Sequence, residues 1–251
     1  MAALPAPTPS VCHLLQEDPE LAEALEPAAR AVALETVIVQ ELRIGTGPWR
    51  NRRVAAMDEG LGLLVLEGVM LHRVGIDRRF GAELLGEGDV LRPPYRPGES
   101  TLSTTNDWLV LKAARLAVLD EQFVRQLAEF PPLAGRLFGR AVDRSRQLAV
   151  NMAIVHQARV GVRLHMLFWH LASRWGRVRS DGVLIPLRLT HAVLSDLVAA
   201  RRPTVTSALT DLSRRGEVRS VPEGWLLSGE PPTSARSGGQ PPPRLIFPVA
   251  S

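Results

Sequence analysis

At 251 residues, 45% of them apolar, the chain is long enough for one large domain or two ordinary ones, and with one tyrosine and six phenylalanines their cores must be built mainly from Leu, Val and Ala. Its formal charge is +4 and almost all of the basic side is arginine, Lys112 being the only lysine, so the pI of about 10.4 reflects arginine-biased composition as much as a nucleic-acid partner. The single cysteine, Cys12, excludes an intrachain disulfide framework and cannot by itself hold an iron–sulfur cluster, and the lack of a long uncharged apolar run or an apolar leader predicts a cytoplasmic chain with no membrane partner.

Residues 1–16 read as a flexible, Ala/Pro-rich N-terminus. Between Glu17 and Arg30, Leu21, Ala24, Leu25 and Ala28 fall at helical spacing, interrupted by Pro27. From Val32 to Leu119 the period changes to short β-prone runs: Val37–Leu42, Gly62–Val69, Met70–Ile76, Leu84-Leu85, Trp108–Leu111 and Leu116–Leu119. Glu67-Gly68 reads as a tight turn between two of them, and Gly86-Glu87-Gly88-Asp89 as another. Many short strands of this kind predict a barrel or double-sheet jelly roll over 17–132. The proline-rich loop from Arg92 to Thr105 is long for a connection, which makes Arg92, Tyr95, Arg96 and Glu99 candidates for contacting a small effector.

Asp120 is placed to cap a short helix carrying Phe123, Leu127 and Ala128, which stops at Pro131-Pro132. A long helix follows, assigned to 133–158. Leu133, Leu137, Ala141, Leu148, Met152 and Val155 form its apolar stripe, suited to packing on its own barrel or on a second copy. The next unit, 159–228, opens with an amphipathic helix through Val162, Leu164, Leu167, Phe168, Leu171 and Trp175. His165, His170 and His191 lack partners at a ligand spacing and read as ordinary histidines rather than zinc ligands.

The most informative stretch is Leu189–Leu212, LTHAVLSDLVAARRPTVTSALTDL. Leu189, Val193, Leu194 and Leu197 share one face of a first helix capped by Thr190. Val205, Ala208, Leu209 and Leu212 share a face of a second, with Pro203 in its first turn. Ala199 to Arg202 leaves room for a turn but not a loop, so the two must cross steeply as a helix-turn-helix. The second helix starts with Arg201, Arg202, Thr204, Thr206, Ser207 and Thr210, hydrogen-bonding side chains suited to a major groove. Hairpin signals at Val178–Ile185 and Glu217–Leu227 bracket the pair, and the second makes a wing that carries Arg219. Residues 229–251 read as a flexible tail.

This order of elements resembles the Crp/Fnr family of bacterial transcription regulators, and WHLASRWG, DGVLIPL and ARRPTVTSAL resemble an actinobacterial-type branch. The resemblance implies an α+β architecture: an N-terminal β-roll like a cyclic-nucleotide-binding domain, a long dimerisation helix and a C-terminal winged helix-turn-helix. It implies a homodimer through 133–158 that binds double-stranded DNA, with RNA polymerase and a small effector as further partners. The family's recognition helix starts Ser-Arg-Glu-Thr-Val, matched here by Arg201, Arg202, Pro203, Thr204 and Val205. Arg202 thus falls on the family's guanine- and phosphate-contacting arginine. Pro203 replaces its base-reading glutamate and Ser207 a second base-contacting arginine, so the family's consensus half-site does not carry over.

The sensor half departs further. Gly88-Asp89-Val90-Leu91-Arg92-Pro93-Pro94 stands where the phosphate cassette of cyclic-nucleotide-binding members is expected, and no Arg-Ser-Ala follows. Cyclic AMP is therefore disfavoured. The cysteine pattern of oxygen-sensing members is absent too, so no iron–sulfur cluster is expected. The effector stays unknown: a haem on a histidine such as His72 is one reading, and no small ligand at all is another. The alternative to a DNA-reading regulator is a ligand-binding or protein-interaction module whose winged helix contacts protein. An enzyme is not expected, since only His72 lies in the barrel region.

Overall fold

In the computed structural model, which describes residues 10–49, 60–77, 79–92 and 102–232, the chain divides into two compact units, 1–148 and 149–251. Tyr95, Arg96 and Glu99 of the candidate effector loop, and 233–251 of the tail, lie outside the described residues.

The first unit is an antiparallel sheet with helices at either end of the sequence. Its elements are β1 (Ser10–His13), α1 (Leu14–Glu17), α2 (Pro19–Ala22), α3 (Pro27–Thr36), β2 (Ile38–Ile44), β3 (Gly47–Trp49), β4 (Gly60–Ile76), β5 (Arg79–Gly86), β6 (Val90–Leu91), β7 (Thr105–Asp120) and α4 (Glu121–Leu127). The strands run in the order β1-β2-β7-β4-β5, with β3 on β7 and β6 on β4. Residues 10–16, expected within a flexible terminus, are ordered instead: Ser10–His13 pairs with Ile38–Glu41, and Leu14 and Leu15 are fully buried. Pro27 does not interrupt a helix but opens α3, where its missing N–H has no helical partner to lose.

The largest difference from the sequence reading lies in the two long strands. Gly62–Val69 and Met70–Ile76 are one strand, β4, and the two runs around Trp108 and Leu116 are one strand, β7. Glu67-Gly68 is not a turn. It sits in a series of register shifts between Val65 and Met70, so β4 bulges against β7 without ending. Gly68 has φ +106°, and a Cβ there would lie 2.6 Å from both the Ala113 carbonyl oxygen and the Ala114 Cα, so only glycine fits this approach. The apolar run of β4 is continuous because both faces are covered. Leu64 and Leu66 join the cluster of α1–α4 with Phe123 and Leu133, while Leu63 and Val65 join a second cluster with Met70, Leu85 and Leu116.

Asp120 caps α4 as expected, accepting from the Phe123 N–H at 3.0 Å. The helix that follows, α5 (Pro131–Val155), starts at the proline pair. Leu133 and Leu137 are buried in the first unit's core, and one turn on, Arg140 pairs with Asp18 and Glu20. The other members of the expected stripe behave differently. Ala141, Leu148 and Met152 are exposed, as are Phe138 and Ser145, and these five recur at intervals of three and four residues.

The second unit contains α6 (Val160–Trp175), β8 (Arg177–Arg179), β9 (Gly182–Ile185), α7 (His191–Leu197), α8 (Arg202–Arg214), β10 (Val218–Val221) and β11 (Gly224–Leu227), with strand order β10-β11-β9-β8. Leu164, Leu167, Phe168 and Leu171 of α6 are buried, as are Val193, Leu194 and Leu197 of α7 and Val205, Leu209 and Leu212 of α8. Most of the predicted apolar face of each helix is therefore buried, while Val162 is exposed and Trp175 and Ala208 are half-buried.

Candidate nucleic-acid interface

The α7–α8 pair is built from local rules. Thr190 caps α7 by accepting from the Val193 N–H at 3.2 Å. After the C-cap Val198, Ala199 adopts φ +47°, the Ala199 N–H bonds the Asp196 carbonyl at 3.3 Å and the Ala200 N–H bonds the Ser195 carbonyl at 3.0 Å. This is a Schellman motif with alanine in the left-handed position that glycine usually fills. The chain thereby reverses in a few residues and starts α8 at Arg202, with Pro203 in its first turn. Replacing Ala199 with glycine removes the Cβ penalty of that conformation, and thermal unfolding is expected to show a gain of up to about 1 kcal/mol.

A residue that the sequence reading passed over holds this turn. The Arg163 guanidinium, on α6, donates to the Val198 carbonyl at 3.1 Å, to the Ala199 carbonyl at 3.4 Å and to the Gln157 carbonyl at 2.6 Å. These are carbonyls that the end of a helix leaves unpaired. Arg163→Ala is expected to cost about 2 kcal/mol in urea unfolding, because bonds from a charged donor are lost at a half-buried site. The one available signal was an arginine in the otherwise apolar start of α6. A second such residue is Trp225 of the wing, whose ring N–H donates to the Leu189 carbonyl at 3.2 Å and whose ring lies 5.0 Å from that of Phe168.

Arg201, Arg202, Thr204, Thr206, Ser207 and Thr210 are all exposed, and all lie on or next to α8. Among the described residues, neither the Arg201 nor the Arg202 side chain has an ion-pair or hydrogen-bond partner. Other arginines nearby are paired: Arg214 with Asp211 at 3.3 Å, Arg215 with Glu217 at 2.9 Å, and Arg179 with Asp181 at 3.3 Å. Arg219 on β10 is also exposed but bonds Asp181 at 3.1 Å, so part of its charge is already compensated. Three hydroxyls donate back to the helix: Thr206 to the Arg202 carbonyl at 3.1 Å, Ser207 to that of Pro203 at 3.2 Å and Thr210 to that of Thr206 at 3.1 Å.

In the first unit, the polar residues converge on the long helix rather than on a pocket. Glu83 of β5 is buried and bonds Arg144 of α5 through both carboxylate oxygens, at 2.5 and 3.2 Å, and His72 Nδ1 at 3.0 Å. Burial alone would raise the Glu83 carboxyl, but the bonds and charges of His72 and Arg144 outweigh it and hold Glu83 below the usual carboxylate range. Arg144 also donates to the Val90 carbonyl at 3.1 Å. The second nitrogen of His72 lies 3.2 Å from Asn106 Oδ1, and its ring stacks on Trp108 at 4.0 Å. Both ring nitrogens of His72 thus face hydrogen-bonding side chains, Glu83 and Asn106. Arg92 is exposed beside the candidate effector loop. Asp89 is buried and accepts from the Gly86 N–H at 2.8 Å, closing the expected turn.

Cys12 is buried, and burial together with Glu41 and Glu17 pushes its thiol up to about 11. A thiol so held is a poor nucleophile for redox sensing. Among the described residues no group of three or more His, Cys, Asp or Glu is placed to hold a metal ion, and no helix is long and apolar enough to cross a membrane.

Residues 162–226 match the model of the Crp-like helix-turn-helix domain. This span runs from the first turn of α6 to the wing. The chain is 27% identical over 135 residues to the CRP-like cAMP-activated global transcriptional regulator of Mycobacterium tuberculosis, an alignment that covers 53% of this chain and 58% of that protein. The chain thus spans little more than half the length of the curated relative. Among solved structures, a cyclic nucleotide-binding domain containing protein from Listeria monocytogenes has a TM-score of 0.59 at 14% identity, covering 75% of this chain and 88% of that one. A CooA variant from Carboxydothermus hydrogenoformans has a TM-score of 0.58 at 17% identity, covering 75% and 83%. At these identities the structures speak for the fold alone. Residues 162–226 are thus a Crp-like helix-turn-helix domain, and the chain as a whole resembles regulators of the Crp/Fnr type.

Proposed function

We propose that the chain is a dimeric regulator that binds double-stranded DNA sequence-specifically, with α8 in the major groove. The observation that carries this reading is the pair Arg201 and Arg202: exposed, without a carboxylate partner, and at the start of a helix whose exposed face is a row of hydroxyls. Arginine reads guanine through its fork, and the first amides of α8 add a partial positive charge for a phosphate. Thr204, Thr206, Ser207 and Thr210 complete the reading face, and Arg219 of the wing lies at the sugar-phosphate backbone.

The dimer forms through 133–158. The exposed residues Phe138, Ala141, Ser145, Leu148 and Met152 are spaced as a coiled-coil seam requires, and they lie off the stripe of Leu133, Leu137, Arg140 and Arg144 that packs on the first unit's own sheet. Two chains then present two recognition helices to half-sites one helical turn apart.

Residues 17–132, within the first unit, are a β-roll sensor, and its effector binds beside Arg92, Tyr95, Arg96 and Glu99. The relative named above is cAMP-activated by its description. Here cyclic AMP is disfavoured, because Asp89 accepts from the Gly86 amide and no Arg-Ser-Ala follows. RNA polymerase is the further partner through which a bound dimer acts.

The test is selection of duplexes from a random pool by the purified full chain. The expected result is a two-fold symmetric sequence whose half-sites each contain a guanine. Failure to enrich any sequence at low salt, with and without cell extract as a source of effector, contradicts the reading.

A further inference from the structure

We propose that His191 fixes Thr206 as a hydrogen-bond acceptor, and that the two together select an amino-bearing base, adenine or cytosine, at one position of each half-site. The inference rests on the entry of α8 into the major groove.

Thr206 Oγ1 has one proton and two lone pairs. It lies 3.1 Å from the Arg202 carbonyl oxygen, which only accepts, and 2.9 Å from His191 Nδ1 on α7. If the hydroxyl proton goes to the carbonyl, Nδ1–H donates to Oγ1. If it goes to Nδ1, the proton is equally used up. In either arrangement Thr206 turns only a lone pair outward. In the major groove the base donors are adenine N6 and cytosine N4, so a fixed acceptor favours those bases and faces a repulsive oxygen at guanine or thymine.

Ser207 and Thr210 differ. Each hydroxyl is held by a single backbone carbonyl, at 3.2 and 3.1 Å, so rotation frees it to donate or accept, and neither discriminates in this way. Thr206 is held from a second element. His191 is itself braced, since it follows the Thr190 cap and its ring lies 6.4 Å from that of Trp225, whose N–H bonds the Leu189 carbonyl. Wing, first helix and reading helix thus converge on one hydroxyl. Pro203 leaves no carboxylate in the first turn to compete for the same base donors.

The experiment is random-duplex selection with the full-length wild-type chain and with His191→Ala, His191→Asn and Thr206→Val. At one position of each half-site the wild type is expected to favour adenine or cytosine by about fivefold or more. His191→Ala and Thr206→Val lose that preference and keep the remaining positions. His191→Asn retains it, because its amide nitrogen stands close to where Nδ1 stood. Should His191→Ala fail to fold, judged by its melting curve, Thr206→Val and His191→Asn carry the test. A Thr206→Val or His191→Ala profile identical to the wild type, or a His191→Ala profile blurred at every position alike, overturns the inference and leaves DNA reading standing. A wild type that enriches no sequence overturns both.

Discussion

Arg202→Ala is expected to lower affinity for the selected duplex about 5- to 150-fold per half-site, the range for losing one bidentate contact to guanine of about 1–3 kcal/mol. The side chain is exposed and makes no hydrogen bond or ion pair within the described residues, so the melting temperature should not move. That combination separates a reading role from a structural one. Arg202→Lys keeps the charge and loses the fork, so it should bind between the two and discriminate poorly at the contacted guanine. Fluorescence anisotropy titrations at fixed salt measure all three chains. Equal affinity for Arg202→Ala and wild type would remove the arginine from the interface.

Glu83→Gln is expected to have the largest effect on stability. The substitution leaves the shape and removes the charge that Arg144 and His72 share, and uncompensating a buried pair in this way costs about 3–5 kcal/mol. The pH dependence follows from the same contacts. The folded Glu83 carboxyl lies below its unfolded value, so its stabilisation is fully present above the unfolded value and is lost as the pH falls through the folded one. Glu17 and Glu41 have the same sign. Hydrogen bonds from Arg115 hold both carboxyls down, and at Glu41 the guanidinium donates at 2.8 Å. Wild-type stability should therefore decline below about pH 5, and Glu83→Gln should start lower and decline less steeply. Urea unfolding followed across the acid range measures both. A variant as stable as the wild type at neutral pH would show that Arg144 and His72 need no counter-charge.

The contacts of Glu83 also bear on signalling. Arg144 belongs to the long helix, Glu83 and His72 to adjacent strands, and Val90 follows the turn closed by Asp89. A displacement of the strands near Arg92 is thus coupled to α5 through charge-assisted bonds, and a charge-assisted bond is worth more than a neutral one. Under the proposed function, an effector would act through this link only to the extent that it binds two arrangements of it differently.

What the sequence discloses depends on whether the determining interactions are local. The α7–α8 pair was legible because its cap, its first-turn proline and its apolar periods are all set within a few residues, and Thr190, Pro203 and the Val205-Leu209-Leu212 face lie where those rules put them. The strands of the first unit were legible in kind but not in length. Glu67-Gly68 carries the composition of a turn, and only the approach of Ala113 and Ala114 on the neighbouring strand, separated by more than forty positions in sequence, makes it a bulge. Pro27 and Pro131 were read as breakers and are initiators, an ambiguity that composition alone does not resolve because proline serves both roles. The reading face of α8 could be named from residue types. The partners that shape it could not: Arg163 clasps a turn 35 positions away, and His191 meets Thr206 across 15.

Dimethyl sulfate interference on the selected duplex tests most directly whether arginines at the start of α8 read guanine in the major groove, because the reagent marks guanine N7 in that groove. The predicted result is interference at guanines in two symmetric positions about one helical turn apart, roughly 10 base pairs, weakened in Arg202→Ala. Binding that is indifferent to N7 methylation at every guanine would contradict it.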